Sequence, residues 1–545
     1  NIKSLNHSRR RSALKNHYVV IGTGHTAVRL ARSLLKDDSK VVHLQGVGAT
    51  SLAEVAGRPH LFPVSGDFTN PDVLKVARVH WAQKVVIASG NDNENVRIAE
   101  SIRDWSESRR PERKLVCHLE MSPGPSSPLH REEAAKHLRT ERLEPRLFQP
   151  QRIAARELIM SHPPHHGRCP GTSGSVDGPP LHALVVGFEP FGKEVVKQLI
   201  RVCHYLDRKR VRITIVAENA QRDFKRFKKE VPALALVADV KLHSADPSAV
   251  TGADWNEMQG RGDHLMGRSG DFDIVYITTS DTEDAYSVAM DAMDGLGTPA
   301  EMEPQPESGT RPKPDLQQGR PEKVILCSAT RLLGKSDQIE RFDPEEESWT
   351  AAHLLRNDPD RVARKIHERY HEKNCDETDP GKRQALKPWD DLPEHDRDAN
   401  RDQADHIAVK LLLFGLSGQD MLWHVPELTR SIEAEVAGLE RDEAQSKAGK
   451  RLALTRAFDE FSRKHGLPDI EALAEVEHRR WMATKALAGY AKGENNKPQR
   501  LHPDMVPYGE LDSPTKEKDR DVIRDLPIDL LNFQEAGAGE LGLGK

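Results

Sequence analysis

The chain has 545 residues, more than one hydrophobic core can organise, so three or four domains are expected. Its formal net charge of −5 argues against a general nucleic-acid-binding protein, whose surface would be basic. The longest apolar run covers residues 411–416 and is far shorter than the roughly 20 residues that span a bilayer, so no membrane segment is predicted within the chain.

The N-terminal segment is basic. Its first fifteen residues contain no acid, and their basic residues are Lys3, Arg9, Arg10, Arg11 and Lys15. Such a segment is typical of the cytoplasmic side of a membrane, where it meets anionic lipid. Residues 1–16 are therefore predicted to be a juxtamembrane segment that follows a membrane pore domain absent from this sequence. An ordinary solvated basic terminus is the alternative interpretation.

A strand, a glycine-rich turn and a helix are predicted next, in residues 17–35. An apolar stretch ends at Gly22, and Gly24 and Ala27 complete a G-x-G-x-x-A pattern before residues with helical apolar spacing. This pattern is the fingerprint of dinucleotide binding, because the glycines let the backbone approach a pyrophosphate and the helix N-terminus offers N–H donors to the anion. The turn residues predicted to contact the ligand are Gly22, Gly24, His25 and Thr26.

Later landmarks extend this unit to residues 17–161. Gly66 and Asp67 follow one predicted strand, and Ser89 and Asn91 follow another. The order resembles the RCK or TrkA-N domain, the nucleotide-binding lobe that regulates potassium channels and transporters. The resemblance implies an adenine nucleotide site, with further binding residues at Gln45, Asp67, Ser89 and Asn91.

The ribose position departs from the family pattern. The resemblance implies an acid at the end of the second strand, but the residue there is Gln45. An amide can hydrogen-bond a ribose but cannot act as a charged acceptor. The expected ligand is therefore ATP, ADP or NAD, with only a weak preference for NAD, and an empty site stays open.

Assembly is expected from the same resemblance. Residues 150–159 read as an amphipathic helix similar to the one that packs on a neighbouring subunit in RCK domains. The resemblance therefore implies a homo-oligomer, either a dimer or a tetramer.

A degenerate copy of the lobe is predicted at residues 181–345, after a linker at 162–180. Its turn carries Glu189 in place of the middle glycine, and a carboxylate there would face any incoming phosphate. A structural lobe without nucleotide is therefore expected, although Glu218 restores an acid after the second strand and keeps binding open. A polar stretch with six prolines at residues 298–321 is interpreted as a disordered insertion.

The C-terminal region repeats one pattern twice. Each copy has a histidine, an aromatic residue three positions later, a proline followed by an aromatic residue, and a leucine followed nine positions later by an arginine. Only the gap between histidine and proline differs, 21 positions in the first copy and 29 in the second, which indicates a loop insertion in a duplicated module. The recurring residues are His367, Tyr370, Trp389 and Arg401 in the first copy and His478, Trp481, Tyr508 and Arg520 in the second.

The second copy resembles the ryanodine receptor repeat, the RyR domain, through the run from Arg500 to Tyr508 and the basic residues after it. The first copy lacks the His-Pro pair of this run, so its identity depends on the shared spacing. The resemblance implies a compact helical module used in tandem, with a cleft in which Tyr370 and Trp481 sandwich an adenine-type ring. Core packing of these aromatic residues is the competing interpretation. The predicted boundaries are 355–425 for the first RyR-like domain, 426–466 for a helical connector, 467–532 for the second RyR domain and 533–545 for a tail.

Three functions are compatible with this architecture of two Rossmann-like α/β lobes with parallel sheets, followed by a mainly α-helical tandem RyR module. The first is a cytosolic ligand-sensing region that regulates a potassium or other cation channel or transporter at the cytoplasmic side of the membrane. The second is a soluble cytoplasmic sensor of a nucleotide second messenger in a bacterial stress or anti-phage pathway. The third, an NAD(P)-dependent oxidoreductase, is the weakest, because no catalytic or metal-binding motif is recognisable. The first function is therefore expected, without enzyme activity.

Overall fold

The computed structural model describes residues 14–46, 58, 60–109, 114–122, 127–164, 180–250, 272–279, 282–297, 323–328, 339–355, 360–375, 378, 383–413, 421–440, 446–496 and 498–535. The predicted insertion at 298–321 and most of the predicted basic segment, linker and tail lie outside these residues. Contacts divide the chain into two compact units. Unit 1 comprises Asn1–Glu157 with Asp343–Pro359, and unit 2 comprises Leu158–Phe342 with Asp360–Lys545.

The secondary structure alternates strands and helices through both lobes and is mainly helical after them. The strands are β1 His17–Ile21, β2 Val41–Gln45, β3 Leu61–Ser65, β4 Ala82–Ile87, β5 Leu115–Glu120, β6 Leu143–Phe148, β7 His182–Val186, β8 Val211–Ala217, β9 Ala238–Ser244, β10 Ile274–Ile277, β11 Lys323–Cys327, β12 Ile339–Phe342, β13 Ala491–Lys492 and β14 Leu501–His502. The helices are α1 His25–Lys36, α2 Pro71–Val76, α3 Asp92–Arg109, α4 Ser127–Leu138, α5 Pro150–Ser161, α6 Pro190–Val202, α7 Ala220–Glu230, α8 Leu234–Val237, α9 Thr282–Gly297, α10 Pro344–Ser348, α11 Ala351–Leu355, α12 Arg361–Lys373, α13 Glu394–Asp405, α14 Ile407–Leu413, α15 Met421–Ala437, α16 Lys447–His465, α17 Ile470–Leu487 and α18 Ser513–Glu535.

Unit 1 contains a six-stranded parallel sheet in the order β3-β2-β1-β4-β5-β6. This is the strand order of a doubly wound Rossmann fold, in which β1 and β4 flank the point where the winding reverses. In β1, Val19 belongs to one core cluster and Val20 to another, as the two-residue period of a strand requires. Burial on both faces explains why the central strands are continuous apolar runs.

One face of this sheet is completed by a segment from far along the sequence. Leu354 and Leu355 of α11 lie in the same core cluster as Leu30 of α1. The N–H of Ala351 donates to Ser33 Oγ at 3.0 Å, which fixes the start of α11 on α1. The segment that follows the second lobe in sequence is therefore part of unit 1.

Unit 2 begins with a second six-stranded parallel sheet, in the order β12-β11-β10-β7-β8-β9. This order matches the first sheet strand for strand, with β7 and β10 in the places of β1 and β4. Leu184, Val275 and Leu326 from three neighbouring strands share one buried core cluster. The prediction of two Rossmann-like lobes with parallel sheets is confirmed.

The rest of unit 2 is mainly helical, which was also predicted. α12 packs against α13, and α17 packs against α18, so each repeat is built on one helix pair. A short 3-10 helix precedes the second helix of each pair, at Trp389–Asp391 and at Tyr508–Glu510. Helices α15 and α16 pack against each other and on α18. Within the described part of the chain, no helix has the length and apolar character needed to cross a membrane.

Candidate functional site

The glycine turn of the first lobe lies where β1 and β4 end, at the switch point of the sheet. Gly22 has a φ of +130°, and a Cβ there would lie 2.1 Å from the carbonyl oxygen of Ala88. Any side chain would collide with the backbone that follows β4, and the positive φ favours glycine as well. The fold itself therefore requires Gly22.

Gly24 differs from Gly22, because the packing of the lobe leaves room for a side chain there. Its φ is −67°, and a Cβ would lie 3.4 Å from the Ala88 carbonyl oxygen, an ordinary contact distance. Gly24 is the N-cap of α1, and no side-chain hydrogen bond caps the first turn of this helix. Uncapped N–H groups at a helix N-terminus form the kind of positive end that binds phosphate.

The two residues after Gly24 have different surroundings. The His25 side chain is 86% exposed, and its Nδ1 lies 3.4 Å from Glu345 Oε1. Thr26 is buried, and its hydroxyl donates to Glu120 Oε1 at 2.9 Å. Burial raises the pKa of Glu120, and the hydrogen bond from Thr26 opposes this rise only in part. His25 is thus accessible to a ligand, whereas Thr26 is engaged inside the lobe.

Gln45, at the predicted ribose position, is buried and belongs to a hydrogen-bonded chain that reaches the glycine turn. Its Nε2 lies 3.3 Å from His43 Nδ1, and His43 Nε2 lies 2.7 Å from the Gly22 carbonyl oxygen. Burial lowers the pKa of His43 to about 4, so the ring is neutral at pH 7. A neutral ring that donates from Nε2 must accept at Nδ1, so the Gln45 amide donates there. His43 was not predicted as a site residue, although a histidine inside an apolar strand is a sign of a buried hydrogen bond.

Asp67 and Asn91 shape loops at the same edge of the sheet. Asp67 is exposed and accepts hydrogen bonds from the Thr69 N–H at 2.9 Å and the Thr69 hydroxyl at 2.8 Å, and these bonds lower the pKa of Asp67. Asn91 Oδ1 accepts the Glu94 N–H at 3.0 Å and so caps the first turn of α3. Both side chains therefore have local structural partners, and their contact with a ligand stays a prediction.

Ser89 is held by a residue that was not predicted. Asn95 is fully buried; its Oδ1 accepts the Ser89 N–H at 2.9 Å, and its Nδ2 donates to the Glu120 carbonyl oxygen at 2.9 Å. The Ser89 carbonyl oxygen would lie 3.6 Å from a Cβ on Gly24. The structure thus brings the glycine turn and Ser89 together at the switch point, with Asn95 bracing the loop between them and β5.

In the C-terminal region, both repeats contain a buried histidine that makes the same hydrogen bond. His367 Nε2 lies 2.7 Å from the carbonyl oxygen of Lys387, and His478 Nε2 lies 2.8 Å from that of Val506. Lys387 and Val506 each immediately precede the proline of their repeat. Each histidine therefore ties its helix to the loop that carries the proline and the aromatic residue.

The aromatic residue after each proline is buried as well. Trp389 and Tyr508 have ring centroids 6.0 Å and 5.9 Å from the histidine ring of their own repeat. A cationic side chain lies over each ring, Arg364 over Trp389 and Lys516 over Tyr508. The two repeats thus use one local structure, and these aromatic residues contribute to its core.

The arginine of each repeat forms equivalent ion pairs. Arg401 and Arg520 each bind one acid seven positions before the histidine and one acid three positions before the arginine itself. The N–O distances are 2.7 Å for both pairs of the first repeat, and 2.7 Å and 3.0 Å for those of the second. The acids could have been found from this spacing but were not predicted; they are Asp360 and Asp398 in the first repeat and Glu471 and Glu517 in the second.

Tyr370 and Trp481, the predicted purine sandwich, are not buried in the core of their repeats. The Tyr370 residue is 46% exposed. Trp481 is partly exposed, stacks on His478 with ring centroids 5.5 Å apart, and meets the His502 ring edge-on at 5.0 Å. Lys485 Nζ lies 5.9 Å from the Trp481 ring centroid. A clamp formed by the two aromatic residues across a cleft stays a prediction.

A cavity of 640 Å³ lies beside the second repeat, between α16, α17 and α18. Arg520 lines this cavity together with Arg451 and Arg524. Hydrogen bonds to Glu471 raise the pKa of Arg520 further above its ordinary value, so the guanidinium stays charged. Because Glu471 and Glu517 also line the cavity and pair with Arg520, the positive charge is balanced where the arginine meets solvent.

Two segments of the chain match known domain families. Residues 18–114 match the TrkA-N domain, and residues 465–533 match the RyR domain. The chain therefore contains a TrkA-N domain in its first lobe and a RyR domain in its second C-terminal repeat, as predicted from the motifs.

The chain is also similar to whole proteins, each over part of its length. An uncharacterized protein of Methanothermus fervidus is 27% identical over 116 residues, which is 20% of this chain and 18% of that protein. The crystal structure of GsuK bound to ADP has a TM-score of 0.32 and 16% identity, and covers 51% of this chain and 57% of its own. The GsuK channel bound to NAD has a TM-score of 0.30 and 11% identity, and covers 51% and 60%. The chain thus spans about a fifth of this curated relative and less than two thirds of these two solved chains.

Proposed function

We propose that this chain is the ligand-sensing regulatory part of a potassium or other cation channel or transporter. In this role, binding of an adenine nucleotide or a related signal shifts a gating equilibrium at the cytoplasmic side of a membrane. Support comes from the presence of a TrkA-N domain and a RyR domain in one chain. A ligand shifts such an equilibrium only through a difference in affinity between its two states. The role proposed here is that of a sensor without enzyme activity.

The observation that carries this proposal is the difference between the two glycines of the first turn. Packing against the Ala88 carbonyl requires Gly22, whereas Gly24 has an ordinary φ and room for a Cβ. A glycine that the fold does not need, at an uncapped helix N-terminus, is what the close approach of a phosphate requires. We therefore assign the phosphates to the first N–H groups of α1, beside the exposed His25.

The tandem RyR module supplies the second proposed ligand surface. His367 and His478 hold the loops of the repeats, which leaves Tyr370 and Trp481 outside the core. A purine stacked on an aromatic residue gains about 1–3 kcal/mol per contact, and Lys485 beside Trp481 can attract a phosphate.

Assembly is part of the same proposal. A gating equilibrium that several subunits share responds more steeply to a ligand than that of one subunit. We propose a homo-oligomer, most simply a dimer or a tetramer. Light scattering of the full chain at tens of micromolar measures this directly, and a 61 kDa monomer as the sole species would contradict it.

Calorimetry with ADP, ATP and NAD tests the first site. Gly24→Asp places a carboxylate where the phosphates are assigned, so we expect nucleotide binding at the first lobe to fall by at least about a hundredfold. Gly24→Ala adds only a Cβ at an ordinary contact distance, so it should fold normally and bind more weakly than the parent.

Gly438→Asp is the matched control for the added charge. Gly438 lies just after α15 in unit 2, and the nearest atom to a Cβ there would be 3.5 Å away. This variant should bind nucleotide as the parent does. If Gly24→Asp and Gly438→Asp bound nucleotide with equal affinity, the first lobe would not be a nucleotide site.

A further inference from the structure

The second lobe has a cavity of its own at the switch point of its sheet. Its volume is 360 Å³, at the lower end of the range of about 300–1,000 Å³ for small-molecule sites. It lies where β7, β8 and β10 end, which corresponds to the position of the glycine turn in the first lobe. The residues that matter for its chemistry are Gly187, Glu189, Glu218, Asp246 and Thr279.

The turn beside this cavity is preformed. Gly187 has a φ of +98°, and a Cβ there would lie 2.9 Å from the Thr279 nitrogen. A Cβ on Gly192 would lie 2.4 Å from the Gly187 carbonyl oxygen. Both glycines are therefore required by the packing of the lobe, and the backbone beside the cavity is constrained by close contacts, as it is in the first lobe.

A phosphate is disfavoured at this turn. Glu189 is the N-cap of α6, its carboxylate-bearing side chain lines the cavity, and no side-chain hydrogen bond caps the helix. Pro190 is the first residue of α6 and lacks the N–H that a phosphate would use. An anion at this position would meet a like charge and one donor fewer.

The polar groups of the cavity suit hydroxyls and a positive charge instead. Glu218 follows β8, where Rossmann folds place the acceptor for ribose hydroxyls. Within the described residues, neither Glu189 nor Glu218 forms an ion pair, and no basic residue lines the cavity. The Thr279 hydroxyl is buried and has no hydrogen-bond partner in the described structure. A buried hydroxyl of this kind calls for a ligand or an ordered water.

We propose that the second lobe binds a purine nucleoside without phosphate groups. Its ribose hydroxyls donate to Glu218, and its 5′ substituent faces Glu189, so a cationic 5′ group binds more tightly than a neutral one. The proposal is independent of nucleotide binding at the first lobe or the RyR module. It assigns related ligands to the two lobes, with a phosphate at the 5′ position in the first lobe and a neutral or cationic 5′ group in the second.

Three probes that differ only at the 5′ position test this proposal by calorimetry on the full chain: adenosine, 5′-amino-5′-deoxyadenosine and AMP. We expect the amino compound to bind about tenfold tighter than adenosine at the second lobe, and AMP at least about tenfold weaker. Adenosine that gives no saturable binding up to millimolar concentration would overturn the proposal.

Two variants locate the probes within the cavity. Glu218→Gln should weaken adenosine about tenfold, because a hydrogen bond to a charged acceptor is lost. Glu189→Gln should leave adenosine unchanged but abolish the advantage of the amino compound and bring AMP close to adenosine. Both side chains are exposed and form no ion pair within the described residues, and Glu218 Oε2 accepts one hydrogen bond, from Asn219 Nδ2 at 3.4 Å. Thermal melting verifies that the variants fold.

Gly24→Asp separates this proposal from the one for the first lobe. It should leave the affinities of adenosine and its amino derivative unchanged while removing nucleotide binding at the first turn. If Gly24→Asp weakened adenosine as much as Glu218→Gln did, the nucleoside would lie in the first lobe and this proposal would fail. If Glu189→Gln still bound the amino compound more tightly than adenosine and AMP more weakly, the 5′ substituent would not face Glu189.

Discussion

The two Rossmann lobes share a strand order and a glycine turn with positive φ, but they hold the turn with different side chains. In the first lobe, His43 of β2 lies 2.7 Å from the Gly22 carbonyl oxygen. In the second lobe, the Thr278 hydroxyl donates to the Gly187 carbonyl oxygen at 3.1 Å, from the strand on the other side of the turn. The strand register places Ile215 where the first lobe has His43. The backbone of the turn thus recurs although the groups that secure it do not.

The lobes differ more in what they present to a ligand. The first offers an uncapped helix N-terminus behind Gly24, whereas the second offers Glu189 followed by Pro190. The same fold therefore presents different charges at the same place, because the residue at the N-cap position differs while the backbone of the turn is shared. A site in such a lobe has to be argued from these few residues, since the sheet itself is common to both.

Alanine at Gly22 or Gly187 disturbs the shared turn most. A Cβ at Gly22 would lie 2.1 Å from a backbone oxygen, whereas at Gly187 the nearest atom would be 2.9 Å away. We expect Gly22→Ala to lower the free energy of unfolding of the first lobe by more than about 3 kcal/mol, and Gly187→Ala that of the second by about 1–3 kcal/mol. Hydrogen exchange measured on peptides from β1 and β7 reports each lobe separately.

Gly46→Ala is the control for this pair. Gly46 follows β2, its φ lies outside the left-handed region, and no atom of the described residues would lie within 4 Å of a Cβ there. It should change stability by less than about 1 kcal/mol. A loss in Gly187→Ala that equals or exceeds the loss in Gly22→Ala would show that the close contact with Ala88 is not what makes the first turn sensitive.

Lowering the pH should distinguish the two groups that secure the turns, because the His43 ring titrates and the Thr278 hydroxyl does not. Burial lowers the pKa of His43 to about 4 in the folded lobe, against 6.5 for the unperturbed side chain. The unfolded chain therefore binds more protons between these values, so stability rises with pH in this window and is lost as the pH falls from about 6.5 to 4. The full loss amounts to about 3 kcal/mol.

Urea unfolding of the parent chain and of His43→Gln, each at pH 7 and at pH 4.5, measures this contribution. Glutamine can still donate to Gly22 but does not titrate, so the variant should lose less stability on acidification. Thr278→Val removes the corresponding hydrogen bond of the second lobe and should destabilise it by a similar amount at both pH values. Equal pH dependence in the parent and His43→Gln would exclude His43 as the cause.

The parts of the molecule that the sequence predicted are those encoded locally. The spacing of Gly22 and Gly24 after an apolar strand defines the turn, and the nine positions from leucine to Arg401 or Arg520 define the repeats. The packing of Leu354 on α1 could not be predicted, because more than 300 residues separate them in the sequence. No local pattern indicates that the apolar face of α1 will be covered by α11. His43 was missed for a similar reason, since its hydrogen bond depends on how β2 pairs with β1.

Spacing alone also cannot distinguish residues that hold a repeat together from residues that meet a ligand. His367, Trp389 and Arg401 recur as His478, Tyr508 and Arg520, and all six have partners within their own repeat. That Tyr370 is exposed and Trp481 partly exposed, as a ligand contact requires, became known only from the structure.

Each C-terminal repeat has an aromatic residue that is at least partly exposed, Tyr370 in the first repeat and Trp481 in the second. Trp481→Ala should weaken nucleotide binding roughly tenfold to a hundredfold, or about 1–3 kcal/mol, with a small change in melting temperature. Tyr370→Ala should weaken it by a comparable amount if the two rings clamp one purine. Tyr508→Ala removes a buried ring and should instead lower stability, by about 3–5 kcal/mol. If Trp481→Ala melted far below the parent while affinity per folded molecule was unchanged, Trp481 would be a core residue.

Gln45→Glu makes the first lobe resemble the second at the end of its second strand, and it should have the smallest effect. A carboxylate accepts a stronger hydrogen bond from a ribose hydroxyl than an amide does, so the preference for ATP over 2′-deoxy-ATP should rise about fivefold, or about 1 kcal/mol. The change also replaces the donor to His43 Nδ1 by an acceptor, which favours the protonated ring. It should therefore raise the pKa of His43 and narrow the pH window in which the first lobe loses stability.

Calorimetry with the two nucleotides measures the first effect. Glu218→Gln is the control and should leave the affinity ratio of ATP to 2′-deoxy-ATP unchanged, because the second lobe disfavours phosphates. An unchanged ratio in Gln45→Glu, together with a narrower pH window, would mean that residue 45 supports the glycine turn through His43 without reaching the ribose.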